Sequence, residues 1–155
     1  MRAKVRINGS LWWGYHRMKV LSDGVFVSGQ IRRGDLGNIA AQGVRSLICN
    51  RPDGEQFGQP TGAQLAEAAG TVGMEFRSIP LVMGSLSPTH IEETAAALTQ
   101  MPGPVLMFCA SGMRSSMLWA LSQVSSRQLS ADEAIDAAAG AGYDLSGLRP
   151  MLNRA

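Results

Sequence analysis

The sequence predicts an α/β fold: three layers, with a mainly parallel sheet of four to five strands flanked by helices. Three observations predict it. Strand-like runs at 25–27, 44–49, 75–81 and 105–108 alternate with helix-patterned segments. The connections between them are short and rich in Gly and Pro. The run Val105-Leu106-Met107-Phe108 has no polar residue, as a central strand covered on both faces requires.

The elements follow in order. Residues 1–24 read as an N-terminal extension without a clear period; Trp12, Trp13 and Tyr15 cluster there as packing residues. The domain proper is expected over 25–155. Val25-Phe26-Val27 is a strand ending at Ser28-Gly29. Gly34-Asp35 opens a helix with Leu36, Ile39 and Ala40 on one face, and Gly43 closes it. Val44 to Cys49 is a second strand, followed by the breaker-rich loop Asn50-Arg51-Pro52-Asp53-Gly54-Glu55. Thr61 caps a helix carrying Leu65, Ala68, Ala69 and Val72.

Glu75 to Leu81 is a third strand. Ser87-Pro88 is an N-cap with proline at the first helical position, and Ile91, Ala95 and Leu98 form that helix's apolar face. Pro102-Gly103-Pro104 breaks it ahead of the strand at 105–108. Ser115 onwards is helical, with Met117, Leu118, Leu121 and Val124 facing inward. Ser130 caps a further helix, and a last one runs from Leu145 to Leu152.

Composition narrows the function. The chain has 155 residues, 45% hydrophobic and 17% charged, which suits one domain with one core and excludes intrinsic disorder. A net charge of +2 is too small to imply a nucleic-acid partner. No apolar run is long enough to cross a bilayer, and the first twenty residues contain no continuous apolar stretch of a signal peptide. The expected location is the cytoplasm, with no membrane partner. His16 and His90 are far apart and lack a third ligand, so neither a metal nor a cofactor is expected. The two cysteines, Cys49 and Cys109, are too few for a disulfide scaffold or a cysteine-based zinc site.

One segment carries chemistry: Cys109-Ala110-Ser111-Gly112-Met113-Arg114-Ser115, between an apolar strand and a helix. In such folds ligands bind at the carboxyl ends of the strands. Backbone amides of a strand–loop–helix turn can converge on one point, and Gly112 permits the φ values this needs. The helix N-terminus and Arg114 add positive charge, which favours a thiolate. Cys109 is therefore the expected nucleophile and Arg114 its catalytic partner, with the amides of Ala110, Ser111, Gly112, Met113 and Ser115 as an anion or persulfide cradle. Asn50, Arg51, Asp53 and Glu55 follow the second strand at the same edge and are candidates for the site mouth. Cys49 has two readings, a small packed residue or a resolving thiol for Cys109.

The stretch VSGQI, GVRSLICNRPDGE, GQP, IP and PGPVLMFCASGMRSSMLWAL resembles the beta-lactamase-hydrolase-like family over roughly residues 25–123. That resemblance implies a sheet like that of dual-specificity and tyrosine phosphatases, with a rhodanese-type sulfurtransferase loop. Cys109 matches the family's nucleophile and Arg114 its loop arginine. The family also occurs joined to persulfide dioxygenase domains, which implies such a partner. Ala110 stands where Arg is commoner, which removes a positive charge from the mouth.

Spacing separates two chemistries. Tyrosine and dual-specificity phosphatases carry five residues between Cys and Arg; here there are four. After Ile79-Pro80, where those phosphatases place a general-acid Asp, this chain has Leu81, Val82, Met83, Gly84 and Ser85. The expected function is therefore sulfur transfer from a small sulfane donor to a thiol or cyanide acceptor through a Cys109 persulfide. A phosphatase using the same nucleophile is the alternative, and a non-catalytic binding module is the second.

Overall fold

The computed structural model describes residues 6–7, 10–13 and 16–155, with side chains from Met18 onwards. The packing expected of Trp12, Trp13 and Tyr15 therefore lies outside the described residues. Strands β1 (Arg6–Ile7), β2 (Ser10–Trp13), β3 (His16–Ser22), β4 (Val25–Ser28), β5 (Ser46–Cys49), β6 (Glu75–Ser78) and β7 (Val105–Phe108) form one sheet. Its order is β1-β2-β3-β4-β7-β5-β6. The four strands from β4 to β6 are parallel, and β1 to β3 extend the sheet as an antiparallel meander.

The parallel part is the sheet the sequence predicts. The meander widens it, and β3 pairs directly with β4 although residues 16–22 read as part of an extension. Strand β3 is covered on both sides: Met18 enters one core and Leu21 the other. Residues three apart on a strand face opposite ways, but three-residue spacing in a sequence resembles a helix.

Helices α1 (Leu36–Ala41) and α2 (Gly62–Thr71) cover one face of the sheet. Helices α3 (Pro88–Gln100), α4 (Met113–Ser125), α5 (Ala131–Gly140) and α6 (Arg149–Arg154) cover the other. Strand β7 is central, and its alternate residues serve the two cores. Leu106 and Phe108 pack with Leu36, Ile39, Leu47 and Leu65, whereas Val105 and Met107 pack with Trp119, Leu121 and Ile135. All four β7 residues are buried. Each such side chain favours the folded state by about 1.5–3 kcal/mol relative to exposure.

Several boundaries differ from the sequence reading; the second predicted strand, for one, starts at Ser46 and not at Val44. Strand β6 ends at Ser78, although Ile79 N still donates to Cys49 O at 2.8 Å and Leu81 N to Asn50 O at 3.0 Å. Helix α4 starts two residues earlier than Ser115, directly after Gly112. The last segment is a 3₁₀ turn at Ser146–Leu148 followed by α6. Capping follows the sequence: Thr61 Oγ1 accepts Gln64 N, and Ser130 Oγ accepts Glu133 N. At α3 the partner of Ser87 is His90, whose Nδ1 accepts the Ser87 amide at 3.1 Å. No helix of the described residues is long and apolar enough to cross a membrane.

Candidate active site

Strand β7 delivers Cys109 to the carboxyl edge of the sheet, where its side chain is fully buried. The next two residues, Ala110 and Ser111, are exposed. The chain then turns through Gly112 at φ +97° into α4. This turn aims the Gly112 N–H at Cys109 Sγ, 3.1 Å away. A sulfur facing an amide at a helix N-terminus is placed to carry negative charge.

Two of the loop's carbonyls are held from outside the loop. Ala110 O accepts from Gln30 N at 3.3 Å, and Ser111 O accepts from Tyr143 Oη at 2.8 Å. Both contacts demand small neighbours. A Cβ on Gly112 would meet Tyr143 Oη at 2.1 Å, and one on Gly29 would meet Ala110 O at 3.0 Å. Lys19 Nζ lies 3.4 Å from Tyr143 Oη and 4.5 Å from its ring centroid.

Arg114 is buried and bound on both terminal nitrogens. Nη1 donates to Glu55 Oε2 and to Leu81 O, both at 2.8 Å, and Nη2 donates to Glu55 Oε1 at 2.7 Å. Arg51 Nε reaches the same Oε1 at 2.9 Å, and Arg51 Nη1 donates to Gln30 Oε1 at 3.1 Å. Hydrogen bonds from Arg114, then from Arg51, hold the Glu55 carboxyl at about 2, well below its ordinary 4.5. Glu55 in turn strengthens the guanidinium's hold on its proton, with Cys109 a smaller influence in the same direction. At neutral pH Glu55 is thus a carboxylate, an acceptor and not an acid.

Asn50 ties the second strand to this helix. Its Oδ1 accepts from Ser115 Oγ at 2.8 Å and its Nδ2 donates to Ile79 O at 2.9 Å. Asp53 stands elsewhere: its Oδ1 accepts from Gly62 N at 2.8 Å, at the start of α2. Cys49 is paired in register with Phe108, the residue before Cys109. Its Sγ points to Arg51 O at 3.5 Å, and burial pushes its thiol up to about 11. Both cysteines are free. Met113 is half-buried against the core, while its amide meets Ser111 Oγ at 3.3 Å.

Of the predicted site residues, the structure brings together Cys109, Arg114, Ser115, Asn50, Arg51 and Glu55 in one connected set. Sequence reasoning missed Tyr143, Gln30 and the carbonyl of Leu81. Gln30 follows the strand-ending Ser28-Gly29 at the same sheet edge, a signal that could have found it. Tyr143 arrives from beyond α5, and nothing in its neighbourhood announces the loop.

The comparisons with known proteins agree with this architecture. A family model described as "Beta-lactamase hydrolase-like protein, phosphatase-like domain" matches residues 17–126. Curated relatives named beta-lactamase hydrolase-like protein include one from Xylella fastidiosa strain 9a5c, 32% identical over 138 residues. Another, from Agrobacterium fabrum, is 29% identical over 134 residues. These matches cover 89% and 86% of this chain but 32% and 31% of those proteins, so the chain spans about a third of their length. A crystal structure from Neisseria meningitidis Z2491, provisionally described as a phosphatase, superposes with a TM-score of 0.77. It is 30% identical, with 87% of this chain and 95% of that one covered. A kinase-associated phosphatase with its catalytic cysteine changed to serine superposes with a TM-score of 0.70 at 16% identity, covering 90% and 92%. The last shares the fold alone. The fold is phosphatase-like, and among the two enzymatic readings the names of these neighbours favour phosphoryl transfer over sulfur transfer.

Proposed function

Because the chain belongs to the beta-lactamase-hydrolase-like family, through its phosphatase-like domain, we propose that it is a cysteine-dependent group-transfer enzyme whose covalent intermediate forms on Cys109 Sγ, and that the group carried is a sulfane sulfur. The observation that carries the reading is the engagement of Arg114. The guanidinium that would grip a phosphoryl group already donates to Glu55 through both terminal nitrogens. Two further features support it. Four residues, not five, separate Cys109 from Arg114, which makes a smaller cradle. The carboxyl beside the site, Glu55, is held ionised and has no proton to give a leaving alcohol.

The steps balance without an added oxidant or acid. Cys109 thiolate attacks the outer sulfur of thiosulfate; the donor S–S bond breaks, a Cys109 S–S bond forms, and sulfite leaves with the electron pair. The Gly112 amide and the start of α4 bear the resulting persulfide charge. Cyanide or a thiolate then attacks the outer sulfur and releases thiocyanate or a new persulfide. Cys109 thiolate is regenerated.

Phosphoryl transfer is the second reading, and the fold supports it, since the solved neighbours bear phosphatase names. Here Cys109 would attack phosphorus and a phosphocysteine would hydrolyse. Intact mass after exposure to thiosulfate or to p-nitrophenyl phosphate separates the two. The expected adduct is one sulfur atom on the first, absent in Cys109→Ser. A phosphoryl adduct, or ester turnover without sulfur transfer, would replace this reading with the second. No adduct and no turnover on either substrate would leave a binding module.

A further inference from the structure

One edge of the sheet ends on β6, which among the described residues pairs with β5 alone. Glu75 N donates to Arg45 O and Ile79 N to Cys49 O, so Glu75, Arg77 and Ile79 turn their backbone groups to β5. Phe76 and Ser78 therefore turn their N–H and C=O groups away from the sheet, where no described residue meets them. An open row of this kind is a template for another strand. Proteins commonly blunt it with proline, a bulge or charged side chains. The run Met74-Glu75-Phe76-Arg77-Ser78-Ile79 has no proline, and its strand is paired with β5 in unbroken register. It does carry two charges, and these repel a second strand in some registers and attract it in one.

Side chains alternate along the strand. Phe76 packs into the core on the α2 side. Glu75 and Arg77 point to the α3 side, where Arg77 Nη2 donates to the neutral Gln100 Oε1 at 2.9 Å. Among the described residues neither Glu75 nor Arg77 has an ion-pair partner. A cleft of about 310 Å³ lies beside the strand, bounded by Arg77, Ser78 and Ile79 and by Glu93 and Ala96 of α3. It leaves that side of the edge open to incoming side chains.

The charges select both partner and register. In an antiparallel two-fold pair, outward-facing residues stand opposite each other and exchange backbone hydrogen bonds. Centring the pair on Phe76 sets Phe76 against Phe76, Ser78 against Met74, and Glu75 against Arg77 on both sides of the axis. Centring it on Glu75 or Arg77 sets like charges directly opposite. Centring it on Ser78 leaves Glu75 facing Leu81 and Arg77 facing Ile79. The Phe76 register alone matches both charges, and it does so with a copy of the same strand.

We propose that β6 is a self-association edge, on which a second copy of this chain adds antiparallel about an axis at Phe76 and closes reciprocal Glu75–Arg77 ion pairs. The pairing does not depend on which group Cys109 carries.

Sedimentation velocity of the full chain at low salt, over a wide range of concentration, tests it. We expect reversible dimers that weaken as salt screens the exposed pairs. Glu75→Arg alone, or Arg77→Glu alone, sets like charges against each other across the axis and should weaken dimerisation at least about tenfold. The two single variants mixed together should pair with each other, since every facing pair is then opposite in sign. The double exchange, Glu75→Arg with Arg77→Glu, should restore self-association. Melting temperatures check that each variant folds, and recovery in the mixture excludes misfolding as the cause of a lost dimer. A wild type that stays monomeric at every concentration would overturn the proposal and leave the edge to a strand of another protein. Undiminished dimers of either single variant, or single variants that do not pair in the mixture, would overturn it by placing the contact elsewhere.

Discussion

The guanidinium of Arg114 and the carboxylate of Glu55 meet end to end, with nitrogen–oxygen distances of 2.7 and 2.8 Å. The pair joins the first turn of α4 to the loop after β5, across 59 positions of sequence. It fixes the arginine beside the nucleophile's loop, and Arg51 shares the same carboxylate. Glu55→Gln keeps the shape but removes the charge that orients both guanidiniums. Turnover should fall by about 10–100-fold, as misplacement of a site group by an ångström does. Steady-state kinetics on the better of thiosulfate and p-nitrophenyl phosphate measure it; an unchanged kcat would deny the clamp a part in catalysis.

The same pair has a pH signature. Glu55 is held at about 2 in the folded protein against an ordinary 4.5. A carboxyl depressed by folding stabilises the native state above its unfolded value, and that contribution disappears as pH falls through the folded one. The difference in melting temperature between the wild type and Glu55→Gln should therefore be constant above pH 4.5. It should shrink steadily between 4.5 and 2. A difference that instead changed near neutrality would place the titrating group elsewhere.

The parallel core of the fold was legible because short strand-like runs, apolar in β4 and β7, stand between Gly- and Pro-marked helices. The nucleophile loop was legible because Cys109, Gly112 and Arg114 stand close together at a strand–helix junction. Glu55 could be placed near the mouth but not on Arg114, since pairing across 59 positions depends on how the two loops pack. Asp53 and Glu55 are two residues apart in one polar loop, yet one caps α2 and the other clamps the site. Their chemical types alone do not distinguish those fates. Strand β3 was hidden because burial on both faces removes the alternation that marks a strand.

Asp53 therefore makes a contrasting prediction. Its Oδ1 takes the Gly62 amide at the start of α2, beside the Thr61 cap. Asp53→Ala should cost about 0.5–2 kcal/mol of stability, the usual worth of a helix cap. It should leave kcat within about twofold, since surface changes away from special features act weakly. Urea unfolding together with kinetics tests both halves, and a large loss of turnover in a folded variant would return Asp53 to the site.

Gly112 is constrained twice. Its φ is +97°, and a Cβ there would lie 2.1 Å from Tyr143 Oη and 2.7 Å from Cζ. Gly112→Ala must strain the backbone by about 1–3 kcal/mol and also displace the tyrosine that holds Ser111 O. Turnover should drop by about 100-fold or more, with a lower melting temperature. Tyr143→Phe removes the hydroxyl's hydrogen bonds to Ser111 O and from Lys19 Nζ but keeps the ring, and should cost about 1 kcal/mol and a smaller loss of rate. Equal kinetic damage from the two variants would show that the hydroxyl, and not the glycine's conformation, governs the loop.

Cys49 is the remaining thiol, and the structure weighs against a protective role. It lies on the strand beside β7, opposite Phe108, so its distance along the chain is no obstacle to reaching Cys109. Its chemistry is the obstacle. Burial raises the thiol to about 11, and Sγ is turned towards Arg51 O at 3.5 Å. At pH 7 roughly one molecule in 10⁴ carries the thiolate that resolution of a sulfenic acid requires. Under mild peroxide Cys109 should therefore climb the oxidation ladder at the same rate in the wild type and in Cys49→Ala. Intact mass would show added oxygen in both and no loss of two hydrogens in either. Turnover of Cys49→Ala before oxidation should stay close to that of the wild type, because the smaller side chain removes no contact to the loop that holds Cys109. An intramolecular disulfide in the wild type, with faster overoxidation in the variant, would instead assign Cys49 the resolving role.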